Sequence, residues 1–433
     1  MVNAVIQAYK HPLAWLYGLF VFGAGFWQLI DPRALVDSAE YLDALSYWFK
    51  LETLELDPYI GDRWMAVTRR TPGYPFLIYI LGIKGVLVVQ VLAAWLSPVF
   101  IYTALRNQLQ FNYGPALFWF FWISWPLQFY YAALPMPEIM VQCLLSMWIW
   151  TWANRREGYS HLVVALLILF KPVFIVLLLP QWWAFGSDIA SKMRRLGLRN
   201  ALKIVDHFQF YKRTLFRLLP IFTILALVAI NNQRWNTPHI SSVGTTNFYE
   251  YNRALLLEQV YGKTYTDSVY MSESKWLNTV SNFDPKKGAW MSARASETLQ
   301  AHWGTYAYLQ VKGMIQMFID PGRYDAMVFL KWPVYSGLLG IRDSQQPSQR
   351  PLYEWVYMVI FAIVNAVKVV LIATAVVYLI VLKKPIDLTT QLAFLAIILV
   401  ALATGPVGTA RYALPLYPLM VWVGVKNFPR KTN

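Results

Sequence analysis

Five polar features of this chain stand where a hydrophobic run begins, ends or is interrupted. The stretch 31–75, DPRALVDSAEYLDALSYWFKLETLELDPYIGDRWMAVTRRTPGYP, supplies two of them. It sets Asp37, Glu40 and Asp43 at helical spacing and closes on Arg69 and Arg70 just before TPGYP. Glu138 opens an apolar run in PMPE, Lys171 interrupts VVALLILFKPVFIVLLLP, and Arg411 starts the last run in GPVGTARYALPLYP. Ionisable groups near or inside a bilayer are costly to keep, so each is a functional candidate. Guanidinium binds phosphate bidentately, so the arginines read as fixed cations for such a group. Together they predict one wall of an active site that faces away from the cytosol.

Each residue also has a purely structural role open to it. Asp37 begins its helix, where an Asp can be an N-cap. Glu40 and Asp43 suit the solvated face of an amphipathic interfacial helix. The arginines could snorkel to the headgroups, and Glu138 would be favoured at a helix N-terminus by the dipole alone. Lys171 has no carboxylate near it in sequence. His302, in TLQAHWGTYAYL, is one of five histidines and suits a satisfied structural residue as well as a substrate contact.

The elements that would position these groups are membrane helices. The chain has 433 residues, 57% hydrophobic and only 14% charged, more apolar surface than a water-soluble fold can hide. Apolar runs of roughly 17–25 residues, the length of a spanning helix, recur along it. Twenty Trp and 27 Tyr suit two aromatic belts. The net charge of +15 reflects Lys and Arg in short loops beside spans, as topology requires, and not nucleic-acid binding. The single cysteine, Cys143, excludes an intramolecular disulfide.

The basic loop at 187–217, Arg155–Arg156, Lys383–Lys384 and the tail KNFPRK mark the cytosolic side. Spans are expected near 12–30, 86–105, 114–133, 138–153, 218–230, 355–382, 389–404 and 410–425. Two short apolar helices, 159–170 and 172–186, would meet at Lys171–Pro172. GYPFLIYILG (73–82) and AMVFLKWPVYSGLLG (326–340) are too short to cross and would dip in or lie at the interface. The fold class is thus an all-α polytopic membrane protein of roughly ten crossings with both termini inside. The first span reads as a retained helix and not a cleaved signal. Three parts are expected: a transmembrane catalytic module (1–230), an extracytoplasmic helical loop region (231–352) and C-terminal transmembrane helices (353–433).

The chain shows no P-loop, no GxGxxG after a strand, no HExxH, no CxxC and no GxSxG elbow. No cofactor is expected. The outer acids could hold a divalent metal, but they lack DxD spacing.

Several of these residues follow the order of a known family. VDSAEY (Asp37, Tyr41), then RRTPGYP (Arg69, Arg70, Tyr74), Glu138 at the tip between two spans, FKP at Lys171 and ARYALP (Arg411, Tyr412) resemble the polytopic GT-C glycosyltransferases. The similarity is to the branch of protein O-mannosyltransferases and lipid A aminoarabinose transferases, bacterial type. It covers about residues 10–230 and the last spans. Ser38 stands where that branch usually has a second acid, and Thr71 where it has a Lys. The resemblance implies a GT-C bundle in a plasma membrane, here a bacterial inner membrane. It implies transfer of a sugar from a polyprenyl-phosphate donor to an acceptor hydroxyl on a lipid or glycan, by inversion. Asp37 would be the general base, assisted by Glu138. Arg69, Arg70, Tyr74, Lys171, Arg411, Tyr412, Tyr41 and His302 would contact substrate. Membrane lipids are the remaining partners. The rival class is a transporter or flippase of an anionic lipid or lipid-linked sugar, because intramembrane cations and broken helices also serve anion pathways.

Overall fold

The structure is a computed structural model that describes residues 2–50, 70–106, 109, 114–186, 207–235, 238–280, 285–320, 322–330, 352–380 and 387–426. Every regular element among them is helical. In chain order these are α1 (Val2–Ala8), α2 (Pro12–Ile30), α3 (Val36–Leu45), α4 (Gly73–Ala104), α5 (Gly114–Ile123), α6 (Leu127–Ala133), α7 (Glu138–Ala153) and α8 (Glu157–Phe170). After α9 (Pro172–Gly186) come α10 (His207–Trp235), α11 (Val243–Thr246), α12 (Ala254–Tyr261), α13 (Lys263–Leu277), α14 (Pro285–Ala301), α15 (Trp303–Ile319) and α16 (Arg323–Leu330). The last four are α17 (Leu352–Ile380), α18 (Leu388–Ala403), α19 (Ala410–Ala413) and α20 (Tyr417–Lys426).

Local chemistry sets many of these boundaries. His11 caps α2 by accepting from the Leu13 amide at 3.3 Å, and Pro12 takes the first helical position, where its missing N–H is harmless. The 73–82 and 86–105 segments join in one run, α4, broken where Gly82 turns to φ 66°. The expected span 114–133 is two helices, α5 and α6, because Pro126 cannot continue the first. α6 and α7 then meet at 115° across the LPMP turn. The last expected span divides into α19, a 3-10 turn at Leu414–Leu416 and α20, around Pro415.

These breaks bear on the membrane reading. Among the described residues, Pro12–Ile30, Gly73–Ala104 and Leu215–Arg234 are long and apolar enough to cross, with the bent pair α6–α7 a fourth if counted as one span. Other expected crossings are shorter apolar helices such as α5, α8, α9 and α18. Part of the expected basic loop is helical, since α10 starts at His207. Residues 187–206, most of 326–340, Lys383–Lys384 and most of the KNFPRK tail lie outside the described residues.

The core is aromatic. Trp119, Trp122, Trp125, Trp148 and Trp422 are almost wholly buried, with Tyr17 and Tyr131 among them. α4 packs on α7, α7 on α8, and α8 on α10. Polar side chains inside this layer tie helices together. Gln90 of α4 donates from Nε2 to the carbonyls of Leu134 (2.7 Å) and Tyr131 (3.2 Å), which holds the turn that presents Glu138.

The start of α4 touches the end of α8 backbone to backbone. A Cβ built on Gly73 would lie 2.7 Å from the Leu169 carbonyl oxygen and 3.0 Å from the Phe170 nitrogen. This contact holds Arg70 and Lys171, three and two residues away, on one wall. Gly73→Ala is therefore expected to destabilise the protein by roughly 1–3 kcal/mol, through forced separation of two backbones. Thermal unfolding in detergent measures it. Gly158→Ala, whose Cβ meets nothing within 4 Å, should leave the midpoint unchanged or slightly raised.

Candidate functional site

Charges from six points of the sequence form one alternating chain. Arg70 bonds Glu40 (Nε–Oε2 2.9 Å) and Asp37 (Nη2–Oδ2 3.0 Å). The same Asp37 oxygen takes Arg411 Nη2 at 2.5 Å, and Arg411 Nε lies 3.2 Å from Glu138 Oε1. Glu138 Oε1 also accepts from Lys171 Nζ at 2.8 Å. The order is thus Glu40, Arg70, Asp37, Arg411, Glu138, Lys171. Glu138 is fully buried, and its second oxygen, Oε2, has no hydrogen-bond partner among the described residues.

Each member is positioned by its own local structure. Asp37 lies in the first turn of α3, yet its carboxylate is given to the guanidiniums. The Leu35 amide goes instead to Ser38 Oγ at 3.1 Å. Glu138 opens α7, where the helix dipole adds to its ion pairs. Lys171 stands in extended backbone between α8 and α9, at the joint forced by Pro172. Arg411 sits in the short α19, whose first amide, Ala410 N, is capped by Asp320 Oδ2 at 2.9 Å. Asp320 also accepts from Gly322 N through Oδ1 and from Lys368 Nζ through its carbonyl, both at 2.9 Å.

Arg70, Lys171 and Arg411 all face a cavity of about 670 Å³. Tyr41 and Tyr412 line it beside them. The Arg70 guanidinium lies 4.7 Å from the Tyr41 ring centre, and Lys171 Nζ 5.8 Å from that of Tyr412. Phe170, Val173, Val176, Ile240 and Phe248 make much of the remaining lining apolar. None of the three paired acids is among the lining residues. The wall therefore presents cations, with their counter-ions behind them.

Burial alone raises the Asp37 carboxyl, but the Arg411 and Arg70 guanidiniums beside it outweigh that and hold it at about 2. A second acid nearby behaves in the opposite way. Burial in α16 pushes the Asp325 carboxyl up to about 7 against the pull of Arg411, with the charges of Asp320 and Glu138 adding to the rise.

Of the residues singled out from sequence, Asp37, Tyr41, Arg70, Glu138, Lys171, Arg411 and Tyr412 are brought together here. Glu40, which suited a solvated face, is instead a partner of Arg70. Tyr74 is fully buried, edge-on to Tyr41 at 5.1 Å, and donates its hydroxyl to Gln90 Oε1 away from the cavity lining. His302 lies elsewhere, 3.0 Å from the Tyr261 hydroxyl at the N-terminus of α15. Arg69 lies outside the described residues, as does the Asp43 side chain. Asp320, Asp325 and Gln90 were missed; only the short DPGRYD stretch hinted at the first two. Among the described residues no three His, Cys, Asp or Glu side chains converge as metal ligands would.

Comparison of the chain with protein-family models, with curated proteins and with solved structures finds no match.

Two outcomes follow from this geometry. Glu138→Ala leaves Lys171 buried without its carboxylate and is expected to lower stability by roughly 3–5 kcal/mol. Adding Lys171→Met should restore part of it, with a coupling of roughly 0.5–3 kcal/mol; strict additivity would contradict the pairing. For Asp325, the unfolded carboxyl titrates near about 4 and the folded one at about 7. Between those values the unfolded state has lost a proton that the folded state keeps, so this group makes stability fall as pH rises. Asp325→Asn should melt with wild type below pH ~4 and above it beyond pH ~7; parallel pH profiles would show that Asp325 is not raised.

Proposed function

We propose that this protein is a membrane glycosyltransferase of the GT-C type. It would move a sugar from a polyprenyl-phosphate donor to a hydroxyl of a lipid or glycan acceptor on the extracytoplasmic face of a bacterial inner membrane. The observation that carries this reading is the cavity in which Arg70, Lys171 and Arg411 stand on one wall beside an apolar lining. Such a donor has the matching shape: an apolar tail that stays with lipid, and a phosphodiester at its edge.

In the transfer, the bond from the anomeric carbon to the phosphate oxygen breaks, and its electron pair leaves with polyprenyl phosphate. The acceptor oxygen bonds the same carbon from the opposite face, inverting it, and gives its proton to a carboxylate. Phosphate leaves readily, so no protein acid is needed; fixed cations stabilise the charge that develops on it. The acceptor hydroxyl is a poor nucleophile and gains about 10²–10⁴-fold from a base.

Asp37 is that base, with its strength tied to the donor. While two guanidiniums hold it at about 2, it is a weak proton acceptor. A phosphodiester drawing on Arg70 and Arg411 loosens that grip and adds a negative charge nearby, and both raise the carboxyl. Glu138, buried behind the lining, assists by keeping Lys171 and Arg411 in place. Tyr41 and Tyr412 flank the cations, and Arg69 precedes Arg70 in sequence as a further phosphate contact.

Purified protein in detergent, given a polyprenyl-phosphate sugar and a membrane lipid extract as acceptor source, should consume the donor and release polyprenyl phosphate. Asp37→Asn should lose about 10²–10⁴-fold in turnover while still binding donor, and Arg411→Ala should lose donor affinity. A donor that binds yet stays chemically intact, and that crosses vesicles carrying the protein, would replace this reading with transport.

A further inference from the structure

The cavity is lined by two unlike sets of polar groups. One comprises Arg70, Lys171 and Arg411. The other comprises neutral hydrogen-bonding groups: Thr245 of α11, Asn247 and Asn252 of the π-helical stretch Asn247–Arg253 that joins α11 to α12, Ser292 of α14 and Thr404 after α18. Among the described residues that line the cavity there is no Asp or Glu.

Asn252 is the informative member. It is 8% exposed, its Nδ2 donates to the Tyr306 hydroxyl at 3.3 Å, and its Oδ1 is buried with no hydrogen-bond partner among the described residues. A buried amide oxygen left open disfavours the fold unless something fills it. The π-helical stretch that carries it is pinned from two sides. The next residue, Arg253, forks onto both oxygens of Glu273 at 2.7 and 2.8 Å and donates from Nε to Thr298 at 3.0 Å. Tyr249 adds its hydroxyl to the same Glu273 at 2.6 Å. On the other side, Gly405 at φ 77° leaves room for the amide, since a Cβ there would lie 3.0 Å from Asn252 Oδ1.

We infer that the neutral groups around Asn252 form the subsite for the transferred sugar and that it selects an uncharged pyranose over an amino sugar. The inference rests on the transferase reading above. Sugar hydroxyls both donate and accept, which suits an open amide oxygen and a set of side-chain hydroxyls. A protonated amine on the ring would enter a cavity with three cations and, among the described lining residues, no carboxylate; Asp37 is already held by Arg70 and Arg411, so the amine would lose its water against net repulsion.

Three probes on one polyprenol separate the possibilities by calorimetry in detergent at pH 7: the methyl phosphodiester, the glucosyl phosphodiester and the glucosaminyl phosphodiester. All carry the same phosphate charge. The glucosyl probe should bind about tenfold tighter than the methyl probe, the scale of a net hydrogen bond, and tighter than the glucosaminyl probe. Asn252→Asp should reverse the order of the two sugars, read as each sugar probe's affinity relative to the methyl probe so that any common effect of the new charge on the phosphate cancels. A sugar that adds nothing over methyl, an amino sugar that binds as well as glucose, or an unchanged order in Asn252→Asp overturns the subsite. If the methyl probe itself fails to bind, it is the phosphate site, and with it the transferase reading, that falls.

Discussion

A charge removed from water must be matched by another inside the protein, and the centre of this molecule is organised by that requirement. Three cations and three carboxylates alternate along a single path, so the middle members are shared. Asp37 serves Arg70 and Arg411, while Glu138 serves Arg411 and Lys171. Sharing makes the set interdependent. It also draws together the first polar loop, the start of α7, the α8–α9 joint and the C-terminal turn, segments hundreds of residues apart. A pairing of this kind is weak evidence of stability, since desolvation can exceed the Coulombic gain. Its merit is geometric: it leaves three cations aimed in one direction.

The helices cooperate in this by being interrupted. Gly82, Pro126, Pro172 and Pro415 each divide a hydrophobic run that composition alone would extend. Interrupted backbone inside an apolar layer must find hydrogen bonds nearby, and at the α5–α6 break Gln128 Nε2 donates to the Trp122 carbonyl. The helical region between α10 and α17 adds the opposite wall. Its Arg253–Glu273 fork ties the π-helical stretch that carries Asn252 to α13, so a polar interaction holds that part of the cavity lining.

Much of this was legible in the sequence, and the reasons for the rest are physical. The Lys171–Pro172 joint, the start of α7 at Glu138 and the extent of α2 follow from local punctuation, and the structure has all three. Asp37, Arg70, Lys171 and Arg411 stood out because ionised side chains beside apolar runs need an explanation. The partnership of Glu40 with Arg70 carried no local signal; an acid on an amphipathic helix looks the same whether water or a guanidinium neutralises it. Asp325 and Gln90 were hidden for the same reason, since burial depends on segments far along the chain. His302 stood out by residue type alone, and it lies against Tyr261. The division at 124–126 was missed because SWP was read through as part of a continuous span.

The Gln90 amide has a consequence that reaches back to the cavity's edge. Its nitrogen faces two carbonyls, which can only accept, so the amide has one workable orientation. Its oxygen is thereby turned to Tyr74, and that oxygen can only receive. The phenolic proton of Tyr74 is thus committed inward by a sequence of one-way bonds that starts at the backbone of α6. Any role left to that ring is as a rigid backing for Tyr41, through its edge and its lone pair, with no proton to offer outward.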